Sequence, residues 1–115
     1  MDEVQGRITI SPAVLTTIVR LTALENPGVH KLAPQHAAVR GLRSSVGTEE
    51  GVIATVTDQG VKVELHIIVE PDANMLQVGE ALQGDIKRAI EHMVDMPVRS
   101  VDVYIEGVAL GMGRA

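Results

Sequence analysis

Between Val61 and Glu70, apolar and polar residues alternate almost without a break. Val61, Val63, Leu65, Ile67 and Val69 fall on one side; Lys62, Glu64, His66 and Glu70 fall on the other. That period of two is what a strand with one dry and one wet face requires. Ile68 alone interrupts the polar register, so the wet face is expected to be partly covered near its far end. The rest of the chain reads as packing laid beside or against this strand.

Gly6-Arg7-Ile8-Thr9-Ile10 alternates in the same way and predicts a short first strand. Ser11-Pro12 then signals a helix start, with the serine hydroxyl as cap and proline at a position where its missing N–H costs nothing. The helix is expected from Pro12 to about Glu25, with Val14, Ile18 and Leu21 on one stripe, widened by Leu15, Val19 and Leu24. Asn26-Pro27-Gly28 ends it. Residues 29–51 lack a regular period and read as a long, mobile loop. Gly51 to Thr57 is β-branched, and the short Asp58-Gln59-Gly60 link predicts an antiparallel hairpin into the organising strand.

Asn74 caps a second helix that runs to about Val94. Its apolar stripe is Met75, Val78, Leu82, Ile86, Ala89, Ile90 and Met93. Gly79 and Gly84 weaken it by about 1 kcal/mol each, and Gly79 is expected to allow close approach to the sheet. A last strand spans Val98 to Val108, with Val101, Val103 and Ile105 inward. The fold class expected is α+β: one domain in β-α-β-β-α-β order, two helices on one face of a four-stranded, mostly antiparallel sheet. A ferredoxin-like split βαβ closure is the simplest, with a KH-like sheet as the competing topology. The domain is expected over residues 6–108, between an N-terminal tail, 1–5, and a glycine-rich C-terminal tail, 109–115.

Composition narrows the function. The chain has 115 residues, a formal net charge of −5 and no cysteine. It therefore has no disulfide framework, thiolate nucleophile or thiolate metal site. The acidic N-terminus lacks a secretory signal, and no apolar run reaches the ~20 residues that cross a bilayer. The cytoplasm is the expected location. Tyr104 is the only aromatic residue besides the histidines, so base stacking on aromatic platforms has almost no material.

Candidate chemistry is sparse. His66 with Glu64 and Glu70 suggests a metal site, but a metal demands three or four converging ligands, and a solvated strand face explains these residues as well. Glu91-His92 with Asp95 closes the second helix, where the macrodipole alone favours a histidine. His30, Lys31, His36, Arg40 and Arg43 form the one basic cluster. Lys31, Arg40 and Arg43 are its candidate contacts for phosphate, anionic lipid or an acidic partner, weighed against an ordinary solvated loop. No Gly-x-x-Gly loop supports a KH domain, and no serine has assignable triad partners. Catalytic, cofactor-binding and metal residues are expected to be absent.

A resemblance adds what the residue chemistry lacks. Gly6-Arg7-Ile8-Thr9-Ile10-Ser11-Pro12, then Ala23-Leu24-Glu25-Asn26-Pro27-Gly28-Val29, resembles the opening of the bacterial alkaline shock, or envelope stress response, protein family. Gly60 to Val63, Ile67 to Glu70, Ile86 to Ile90, Val98 to Val103 and Glu106-Gly107-Val108 resemble its central strand, closing helix and last strand. The resemblance implies a small, non-enzymatic cytoplasmic scaffold that acts in the envelope stress response through protein–protein contacts. The partners it implies are further copies of itself and an integral membrane anchor, which would place it at the inner face of the cell membrane. It carries no catalytic residues and no cofactor. The alternative is a small KH-like nucleic-acid-binding module using the basic 29–43 segment, although the acidic balance makes nucleic acid a poor partner.

Overall fold

The structure is a computed structural model that describes residues 4–34 and 46–110. Two helices and five strands follow one another as α1 (Pro12–Leu24), β1 (Val29–Leu32), β2 (Val46–Glu49), β3 (Val52–Thr57), β4 (Gly60–Val69), α2 (Met75–Val94) and β5 (Val98–Val108). The α+β class holds, with both helices on one face of the sheet. At its full width the sheet reads β2-β3-β4-β5. The β2–β3, β3–β4 and β1–β4 pairings are antiparallel, whereas β5 runs parallel to β4. The β4–α2–β5 passage is thus a crossover between adjacent parallel strands, which the split ferredoxin-like closure does not describe.

β4 organises the sheet, as its alternation predicts. Val61, Val63, Leu65, Ile67 and Val69 are buried under the helices. β5 covers one edge of β4 from end to end. The other edge is shared. β3 pairs with residues 60–65 of β4, and β1 pairs with residues 67–69. The two meet at His66, whose N–H donates to Gly51 O and whose carbonyl accepts from Ala33 N, both at 2.8 Å. Gly51 has φ +83°, and a Cβ there would lie 2.8 Å from the Leu32 Cβ. Only glycine fits that seam.

The helices keep their predicted caps. Ser11 Oγ accepts from Ala13 N, and Asn74 Oδ1 accepts from Gln77 N at 2.9 Å. The buried face of α1 is Leu15, Thr16, Ile18, Val19 and Ala23. Val14, Leu21 and Leu24 are exposed, so the stripe lies about one residue from where the sequence puts it. On α2, Val78, Leu82, Ile86 and Ile90 are buried, while Met75 and Met93 at the two ends are not. α1 packs on β1, β2 and β3; α2 packs on β5 and on α1. At the α2–β5 corner, Glu91 accepts from Lys87 Nζ at 2.8 Å and from Val98 N at 3.1 Å. The Lys87 ammonium and the Val98 N–H hold its carboxyl below the usual range.

Two sequence expectations need correction. Residues 29–51 are not one loop, because β1 and β2 lie within them; each is four residues long, too short for alternation to stand out. Residues 6–10 form no strand. They are exposed, with Ile8 92% accessible, and have no ladder partner among the described residues. Alternation gives a segment two faces, but a strand also needs an edge to bond to.

Candidate functional site

Two features outside the core carry chemistry: the uncovered face of the sheet and the far edge of β5. On the uncovered face, the parallel register sets His66 beside Tyr104. The two rings stack with centroids 4.7 Å apart and planes 9° from parallel. His66 Nδ1 lies 2.6 Å from Glu106 Oε2, and Nε2 lies 2.6 Å from Glu64 Oε2. Each ring nitrogen thus faces a carboxyl oxygen at hydrogen-bonding distance, an arrangement that favours the protonated ring. Burial pushes the His66 pKa down, but the hydrogen bonds and charges of Glu106 and Glu64 outweigh it, and the net shift is upward. The sequence pairs His66 with Glu64 and Glu70. The structure keeps Glu64, substitutes Glu106, and turns Glu70 to His30, 3.3 Å away across the β1–β4 ladder. Both ring nitrogens are engaged by carboxyl oxygens. Among the described residues, no group of three or more His, Cys, Asp or Glu side chains is arranged to hold a metal ion.

The remaining candidates do not converge. His92 is exposed, Glu91 is committed to Lys87 and Val98, and Asp95 serves as the left-handed cap of α2 at φ 58°. Lys31 is exposed on β1, lining a shallow hollow with Arg20, Leu24, Leu32 and Glu50. Arg40, Arg43 and His36 lie outside the described residues, so the basic cluster is not assembled among them.

The edge of β5 is different in kind. Its partner is β4, and along its other side no strand pairs with it among the described residues. Gln83 Nε2 reaches across from α2 to Val101 O at 3.1 Å. Beyond that, a groove of about 390 Å³ opens between the helix and the strand. Met75, Leu76, Gly79, Glu80, Val103 and Ile105 line it. Leu76 is 71% exposed, and a Cβ on Gly79 would meet nothing within 4 Å. Gly79 therefore leaves space open beside the sheet instead of drawing the helix close. The signal for this groove was present in the sequence: Met75 and Gly79 sit on the apolar stripe one turn before the helix becomes fully covered. An unpaired ladder beside an apolar groove can take up another extended segment, with main-chain bonds for affinity and the groove for side chains.

Comparison with known proteins fixes the lineage. The uncharacterized protein Spy1535 of Streptococcus pyogenes is 28% identical over 104 residues, spanning 90% of this chain and 79% of that protein. The uncharacterized protein YqhY of Bacillus subtilis is 22% identical over 104 residues, spanning 90% and 77%. No solved structure matches the chain. The model of the alkaline shock protein 23 family, described as having a cell envelope-related function, matches residues 1–110. The chain therefore belongs to the alkaline shock protein 23 family, a family with a cell envelope-related function.

Proposed function

We propose that this protein is a non-catalytic scaffold of the envelope stress response, working through contacts with copies of itself and with a membrane-anchored partner. The observation that carries the reading is the edge of β5, unpaired among the described residues, beside its apolar groove. An apolar groove with a strand edge next to it suits an association surface. Among the described residues, no helix is long and apolar enough to cross a membrane.

Affinity capture from detergent-solubilised cells of the natural host tests the partner, and light scattering across a concentration series tests self-association. The expected results are co-purification of a membrane-spanning protein and a mass that rises with concentration. A strict monomer at high micromolar concentration that also captures no membrane protein would overturn the reading.

A further inference from the structure

We infer that the free edge of β5 is completed by residues 6–10 of a second copy of this chain, an exchange of N-terminal arms; this rests on the scaffold reading above and names its self-contact. The arm and the edge lack what the other supplies. Gly6-Arg7-Ile8-Thr9-Ile10 has strand alternation but no ladder partner among the described residues, and both isoleucines are accessible, Ile8 at 92% and Ile10 at 39%. No strand among the described residues pairs with the outer side of β5, and an apolar groove lies beside it. Laid along β5, the arm would turn Ile8 and Ile10 to one face and Arg7 and Thr9 to the other. The isoleucine face fits the groove lined by Leu76, Val103 and Ile105. The opposite face of β5 carries Asp102, Tyr104 and Glu106, so Arg7 would lie over an acidic surface.

The packing of the helices favours exchange over closure within one chain. Ile10 is one residue from Ser11, the cap of α1, and Ser11 is itself extended at φ −66°, ψ 141°. No turn separates arm from helix. α1 packs on β1, β2, β3 and α2, whereas the helix against β5 is α2. The arm leads into the helix that does not pack on β5, and its five extended residues reach about 17 Å at ~3.3 Å per residue. The other edge of the sheet offers a shorter ladder, since β2 is four residues long against eleven in β5.

The test uses full-length protein with substitutions at exposed positions. Ile8→Glu spoils the arm and Leu76→Glu spoils the groove, and neither touches the core. Sedimentation should show self-association weakened at least tenfold in each variant. Mixing the two should restore part of it, because one intact arm then meets one intact groove. Arg7→Glu should weaken association less, with a smaller salt dependence than wild type. The natural absence of cysteine permits a direct check: chains carrying Ile8→Cys mixed with chains carrying Val103→Cys or Ile105→Cys should form disulfides between chains. Wild-type-like association of Ile8→Glu, no recovery on mixing, or a disulfide only within a doubly substituted chain would overturn the exchange while leaving the scaffold reading intact. A wild-type chain that never self-associates would overturn both.

Discussion

Gly6–Ile10 and Gly60–Val69 are written in the same alternating pattern and meet opposite fates. In β4 the apolar set is buried to the last side chain, and strands lie along both edges. In the N-terminal segment the same kind of set is open to solvent and the backbone bonds to no strand among the described residues. Alternation specifies which side of a strand is dry. It does not say where the hydrogen-bonding edge will come from, and that second requirement separates the two segments.

Substitutions can sharpen this contrast. The largest effect is expected at Leu65, fully buried on β4. Leu65→Ala should cost about 2–5 kcal/mol in urea unfolding through lost transfer energy and a residual cavity. Next comes the seam where β1 and β3 meet on β4. Gly51→Ala forces a side chain into positive φ and against Leu32, and should cost about 1–3 kcal/mol by the same measurement. Smaller is the pH effect of His66. Its pKa is raised on folding, so its stabilising contribution is complete below the unfolded value of 6.5 and is lost as pH rises through the higher folded value. The urea midpoint of wild type should therefore fall relative to His66→Gln as pH is taken upward from about 6.5; a constant difference across that window would remove the imidazolium from the account. Least of all, Ile8→Ala should change unfolding of the isolated chain by no more than about 0.5 kcal/mol, because the side chain packs on nothing within it.

Much of the fold could be read from residue order. Ser11-Pro12 and Asn74 start helices where they should, Gly60 opens β4, and Val98 to Val108 is the last strand as expected. What the sequence hid was pairing. Val29–Leu32 and Val46–Glu49 are too short to show a period, and their strand character comes from the ladders they join. The offset of the α1 stripe has a related origin: Ala23 and Thr16 are buried while Leu21 and Leu24 are not, because neighbouring elements decide which side is covered. The histidine cluster was half legible. Glu64 is two residues from His66 and shares its face, but Glu106 arrives through the β4–β5 register, which no local spacing encodes.

The shared edge of β4 has a consequence for how this chain tolerates change. β1 takes its register from residues 67–69, and β3 takes its own from residues 60–65. Neither depends on the number of residues between Pro34 and Val46. A change that loosens one ladder on that side of β4 therefore leaves the other's register in place, with His66 as the boundary between them.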